Sequence, residues 1–199
     1  MKKLLIATHN PAKFNDISRF LSDIPHELVS LNDVGITEDI EEDQPTFEEN
    51  AIKKAQYFAK KSGLPTIGDD SGMEIEYLGG KPGVYSKRWA PEETDESIVS
   101  HTLKQLKGVP AEKRTAQFRV VIALAKPDGS VQTATAVTRG IIAEKPFPGA
   151  QTKKFPYNQI LFLPELNKYY HDDDLTKEEQ YEYNHRRRAL DKLKPYLIP

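Results

Sequence analysis

Leu64-Pro65-Thr66-Ile67-Gly68-Asp69-Asp70-Ser71-Gly72-Met73-Glu74-Ile75-Glu76-Tyr77 is the stretch on which the reading of this chain turns. An apolar run from Leu64 to Ile67 leads into two adjacent carboxylates bracketed by glycines. The alternating run Met73 to Tyr77 follows. This order predicts strand, tight acidic turn, strand. Carboxylates at a strand end can hold a hard cation or activate a water. Asp and Gly are also the residues of an ordinary solvated turn, and the segment alone leaves both readings open.

Upstream lies a strongly acidic loop over residues 36–45, carrying Glu38, Asp39, Glu41, Glu42 and Asp43. Thr46-Phe47-Glu48-Glu49 then has the form of a capping box. Phe47, Ala51, Ala55, Phe58 and Ala59 share one helical face, and Gly63 closes the helix. At the start of the chain, residues 2–7 predict a buried strand. Asn10 is placed to cap a helix that Pro11 opens, with Phe14, Ile17, Phe20 and Leu21 at helical spacing. Leu28 to Leu31 reads as a second strand. Downstream, Gly79-Gly80-Lys81-Pro82-Gly83 is a loop, and a helix is expected over about residues 94–107 behind Thr94. Strands are expected at 115–125 and 131–143, and again around Ile160 to Leu163. A second capping box, Thr176 to Glu179, opens one last helix through Leu193, ended by Pro195. Strands alternating with helices mean α/β or α+β with a mostly buried sheet.

The 199 residues suit one domain spanning the whole chain, 1–199. A formal net charge of -2 provides no basic field for nucleic acid. With no cysteine, thiolate nucleophiles, disulfides and Cys-bound zinc are excluded. No apolar run approaches the ~20 residues that span a bilayer. The short apolar N-terminus is interrupted by His9, Asn10 and Lys13, so it reads as a strand and not a signal peptide. A cytoplasmic location is the expectation.

Three further segments can carry chemistry. Thr8-His9-Asn10-Pro11-Ala12-Lys13 is a polar turn running into a helix N-terminus, where backbone N–H groups and the helix dipole favour phosphate. The plain alternative is a capped helix with a surface lysine. The acidic loop can lend a carboxylate to magnesium, which takes most of its shell from phosphate and water. Asn184-His185-Arg186-Arg187-Arg188 provides an arginine fork suited to phosphate, or simply a basic helix face. His9, His26, His101 and His171 are too scattered to form a metal cluster.

Taken together, these segments resemble the Ham1 / inosine triphosphate pyrophosphatase family across nearly the whole chain. The carriers are Ala7 to Lys13, Thr46 to Ala51, Gly68 to Ile75, Leu78 to Arg88, Thr115 to Phe118 and, less closely, Asn184 to Arg186. The resemblance implies an ITPase-like α/β fold: an elongated mixed sheet with flanking helices and two lobes around a central cleft. It implies a homodimer that uses Mg²⁺ to hydrolyse a purine nucleoside triphosphate to monophosphate and pyrophosphate, with deaminated bases preferred. By position, Thr8, His9, Asn10 and Lys13 would hold the triphosphate. Glu41 and Asp70 would bind the metal, and Asp70 would also prepare the attacking water. Ser71 would contact substrate, and His185 and Arg186 would close over base and phosphate. Asp69 would face the other side of an extended backbone, as a supporting acid.

The family's base-recognition segment reads Gly-Phe-Gly-Tyr-Asp-Pro, where this chain has Lys154-Phe155-Pro156-Tyr157-Asn158-Gln159. Phe155 and Tyr157 keep aromatic rings that can stack on a base. Asn158 replaces an acid, Gln180 a lysine and Asn184 a serine. These departures cluster on the base-reading side, and predict a shifted or relaxed base preference. Two other readings are a nucleotide-binding regulator without turnover and, least favoured by charge, a nucleic-acid module built on Arg186 to Arg188.

Overall fold

The structure, a computed structural model, describes residues 2–149 and 155–198. Among the described residues there are seven strands: β1 (Lys2–Ile6), β2 (His26–Ser30), β3 (Thr66–Ile75), β4 (Thr115–Ala125), β5 (Val131–Ile142), β6 (Leu161–Leu163) and β7 (Lys168–Tyr169). They form one sheet in the order β2-β1-β3-β4-β5-β6-β7. The β1 strand pairs in parallel with β2 and β3, and β6 pairs antiparallel with β5 and β7, so the sheet is mixed. The described residues also form five α-helices: α1 (Pro11–Phe20), α2 (Phe47–Ser62), α3 (Asp95–Gln105), α4 (Lys177–Tyr183) and α5 (His185–Leu193). Among the described residues no helix is long and apolar enough to cross a membrane.

The backbone forms two compact units. One comprises Met1–Ser71, Val120–Ala136 and His185–Pro199, the other Gly72–Arg119 and Val137–Asn184. In the first unit β1 is buried on both faces. Leu4 and Ile6 pack with Ile17, Phe20, Ile67, Ile122 and Leu190, while the alternate residues Leu5 and Ala7 pack with Val29, Leu31 and Phe58. A period of two with both faces apolar is the signature of a central parallel strand. The second unit has its own core, in which Met73 and Ile75 meet Ile98, Leu106, Phe118 and Leu161.

The helix ends follow the sequence closely. The Asn10 side chain accepts from the N–H groups of Ala12 and Lys13. Thr46 caps α2 by accepting from Glu49 N, and its hydroxyl donates to the Glu49 carboxylate. Thr176 and Glu179 make the full reciprocal box at α4. Gly63 ends α2 with φ 71°, a left-handed conformation that glycine adopts without strain.

Two expectations change. No turn separates Ile67 from Met73: β3 runs unbroken through Gly68, Asp69, Asp70 and Ser71. Gly68 serves close packing instead. A Cβ there would stand 2.6 Å from the Ala51 carbonyl oxygen and 2.8 Å from Ala55 N, so α2 sits directly on the strand. The last helix is also not continuous. Asn184 is extended (φ -70°, ψ 111°) and divides α4 from α5, and the Thr138 hydroxyl takes the Tyr183 carbonyl that the break leaves open.

Candidate active site

Because β3 stays extended, Asp69 and Asp70 project to opposite faces. Both are buried, at 3% and 6% exposure. Asp69 faces α1 and α5, and receives Arg186 Nε at 2.9 Å and Lys13 Nζ at 2.5 Å. Arg186 itself is buried, reaches Asp16 at 3.6 Å, and donates to Ser71 Oγ at 3.4 Å. Burial opposes ionisation of Asp69, but the Arg186 and Lys13 charges outweigh it and hold the carboxyl well below the usual carboxylate range. Two cations suited to phosphate are thus held on one anion.

Asp70 faces α2. Its Oδ2 accepts from Asn50 Nδ2 at 3.0 Å and its Oδ1 from Ser71 N at 2.9 Å. Burial and the nearby charge of Glu42 push its pKa up to about 6, against the pull of Lys54 and Lys13. Lys54, buried on α2, pairs with Glu42 and donates to the Asp69 carbonyl at 3.3 Å. Burial works against the ammonium there, but Glu42 raises its pKa on balance.

Glu41 and Glu42 of the acidic loop lie in different surroundings. The Glu41 side chain is exposed, and only its carbonyl oxygen is engaged, by Lys53 Nζ at 2.9 Å. Glu42 is the loop carboxylate whose charge acts on Asp70. A loop with five acids has no periodicity to set its register, so the sequence does not distinguish the surroundings of the two. Among the described residues no group of three or more His, Asp and Glu is placed to hold a metal. Two carboxylates suffice for a cation such as magnesium that keeps water and substrate oxygens.

Thr8, His9 and Asn10 join the same unit. Thr8 Oγ1 accepts from Asn10 N, and His9 Nε2 bonds the Glu38 carbonyl at 3.0 Å, tying the first loop to the acidic loop. The N–H groups of Ala12 and Lys13 are already spent on Asn10, so attraction for phosphate there rests on the Lys13 ammonium and the helix dipole. His185 opens α5. Burial, with Arg186 beside it, pushes its pKa down to about 3 and keeps the ring neutral. Arg187 turns away to Asp191 at 2.6 Å, one turn along α5.

The expected base-side residues belong to the second unit. Tyr157 is 4% exposed, lies edge-on to Phe118, and donates its hydroxyl to the Ser86 carbonyl at 3.0 Å. It is a core residue and has no open ring face to offer a base, so Phe155, half-buried, is left as the candidate for stacking. Asn158 is half-buried in the short helical turn Pro156–Gln159. Gln180 Nε2 donates to the carbonyls of Asp172 and Leu175, so its amide fastens a loop. Lys154 lies outside the described residues.

The sequence assigns no role to Asn50 or Lys54, and to Glu42 only its share in the acidic loop. The available signal was on α2: Asn50 and Lys54 stand four apart beside Ala51 and Ala55, polar residues on a buried stripe.

The model of the Ham1 family matches residues 4–196. A dITP/XTP pyrophosphatase of Bacillus subtilis is 40% identical over 99% of this chain and 98% of its own length. Another of that name, from Geobacter sulfurreducens, is 40% identical over 99% and 97%. Among solved structures, the Staphylococcus aureus Ham1 protein superposes with a TM-score of 0.85 at 34% identity, covering 98% of both chains. A HAM1 protein from Coxiella burnetii gives 0.86 at 32% identity, covering 99% of this chain and 98% of its own. With its mixed sheet and helices matching such structures over nearly their full length, this chain belongs to the Ham1 family.

Proposed function

We propose that the protein hydrolyses non-canonical purine nucleoside triphosphates, of the dITP and XTP kind, to the monophosphate and pyrophosphate. The observation that carries this reading is the pairing on β3 of a buried carboxyl held near pKa 6 with an adjacent buried carboxylate that gathers Lys13 and Arg186. The names of the related pyrophosphatases supply the substrate class.

The reaction places a water oxygen on the α-phosphorus and breaks its bond to the bridging oxygen of the leaving pyrophosphate. Asp70 is suited to take the proton of the attacking water, since a pKa of about 6 leaves it ionised yet basic near neutrality. Lys13 and Arg186 are already oriented by Asp69, so they can meet charge developing on phosphate oxygens with little reorganisation. Ser71, in contact with Arg186, lies at the same point. Mg²⁺ fits the Asp70 and Glu42 pair, two hard oxygen donors, and its charge would oppose the burial and the Glu42 charge that push the Asp70 pKa up. When bound it would neutralise charge on the phosphate oxygens. Near Asp70, Lys54 offsets part of the Glu42 charge.

Base preference is read as shifted, through Asn158 and the engaged amide of Gln180, with Phe155 as the stacking ring. A homodimer is what the family resemblance implies, and light scattering tests it; a cytoplasmic location is the expectation from composition. The activity test is pyrophosphate release from dITP, XTP and the four canonical deoxynucleotides with Mg²⁺. Release from dITP and XTP is expected. Nucleotide binding by calorimetry without any release would mean a regulator and overturn the hydrolase reading. Turnover confined to inosine and xanthine nucleotides would remove the shifted preference alone.

A further inference from the structure

We propose that Asn50 is a positioning residue that joins the acidic loop to the catalytic carboxylate Asp70. Its side chain is 1% exposed and every polar atom of its amide is engaged. Oδ1 accepts from Gln44 N at 2.9 Å, and Nδ2 donates to the Gln44 carbonyl at 3.4 Å and to Asp70 Oδ2 at 3.0 Å. The first two contacts grip both backbone groups of one loop residue, as a neighbouring strand would. The third fixes the orientation of the Asp70 carboxylate.

The consequence is geometric. Gln44 stands two residues from Glu42, so the amide that aims Asp70 also sets the loop carrying the second carboxylate. Asn50 itself is rigidly held, in the first turns of a helix capped by Thr46 and seated on β3 at Gly68. Lys53 and Lys54, one turn on, hold the same loop through Asp43 and Glu42. Those contacts set the loop's distance from α2, whereas Asn50 alone of the three bonds the Asp70 side chain as well. An isosteric carboxylate would keep the acceptor for Gln44 N but lose both donors, and would set like charge against Asp70.

The inference rests on the pyrophosphohydrolase reading, and its test separates the two. Wild type, Asn50→Ala and Asn50→Asp are compared for kcat, KM and thermal shift on adding Mg²⁺, with the core variant Leu21→Ala as a stability control. Below the unfolding temperature, kcat is expected to fall about 10–100-fold in both Asn50 variants, Asp below Ala, with KM within about threefold. The Mg²⁺ thermal shift is expected to shrink in both, while Leu21→Ala loses stability and keeps kcat and the shift. Asn50 variants with wild-type kcat and Mg²⁺ shift would overturn the proposal. So would losses matched by Leu21→Ala, or failure of both variants to fold, which would assign the amide to folding alone. A wild type that releases no pyrophosphate would sink the hydrolase reading, and the Mg²⁺ shift would then decide the Asn50 proposal by the same comparison.

Discussion

Burial alone would push both Asp69 and Asp70 towards the neutral acid. What separates them is which face of β3 each occupies. Asp69 meets two cations and stays ionised, whereas Asp70 meets Glu42 and is pushed up to about 6. The two therefore contribute to stability with opposite signs. Asp69, depressed in the folded state, stabilises above the ordinary carboxylate range, and that contribution is lost as pH falls through its lowered pKa. Asp70, raised from 3.8, stabilises most below about pH 4, and the contribution is lost as pH rises through about 6. The metal-free protein at pH 7.5 thus bears a cost of at most ~3 kcal/mol for ionising Asp70. A divalent cation at Asp70 should relieve it, so the rise in Tm on adding Mg²⁺ should be larger at pH 7.5 than at pH 5. Thermal unfolding with EDTA or Mg²⁺ at both values checks this, and an equal shift would argue against a cation on Asp70. On the other face, Asp69→Ala leaves Arg186 and Lys13 without their shared partner. Urea unfolding should show a loss of ~3–5 kcal/mol, the cost of breaking a buried ion pair, and KM for nucleotide should rise as the two cations lose their orientation.

Among the elements, α2 and β3 make the site, and Gly68 sets how closely they approach. An added methyl would meet the Ala51 carbonyl oxygen and Ala55 N well inside contact distance. Gly68→Ala should cost ~1–3 kcal/mol in urea unfolding as the helix is forced outwards. Asn50 and Lys54 ride on that helix, so activity should fall by more than the stability loss accounts for. Unchanged turnover in a destabilised Gly68→Ala protein would separate the packing from the site. The same pair of elements shows where sequence reading succeeds. Asn10, Thr46, Gly63 and Thr176 act through local backbone chemistry and were legible one residue at a time. Gly68-Asp69-Asp70-Ser71-Gly72 was not, because its turn-forming residues are overruled by long-range partners: a helix backbone against Gly68 and buried charges beyond it. The break at Asn184 was hidden for a similar reason. Its partner, Thr138, comes from β5, 45 residues earlier. The roles proposed for Glu42 and Asn50 were beyond reach because the contacts behind them form only once the loop is laid against Asp70.

For the whole molecule, the division into two units does not follow the chain. Each is assembled from separate segments, and β3, β4 and β5, of 10, 11 and 12 residues, begin in one unit and end in the other. The boundaries fall inside hydrogen-bonded strands: at Ser71 and Gly72, at Arg119 and Val120, and at Ala136 and Val137. The backbone of each of these strands continues across its boundary, so loss of one unit is expected to fray the strand ends left in the other. The expectation of one domain over 1–199 then becomes a statement about cooperativity that can be measured. Trp89, the single tryptophan, lies in the second unit and packs edge-on to His101, so its fluorescence reports that unit alone. Far-UV circular dichroism reports the helices of both. In urea the two probes should give superimposable curves with one midpoint and one slope. Fluorescence that changes at lower urea than circular dichroism would mean that the second unit unfolds first and that the shared strands do not couple the two. The same titration repeated with Mg²⁺ and nucleotide sharpens the test. The charged residues proposed to hold both ligands lie in the first unit, so a ligand-induced shift of the Trp89 midpoint, equal to that of circular dichroism, would show stability passing from the site to the second unit.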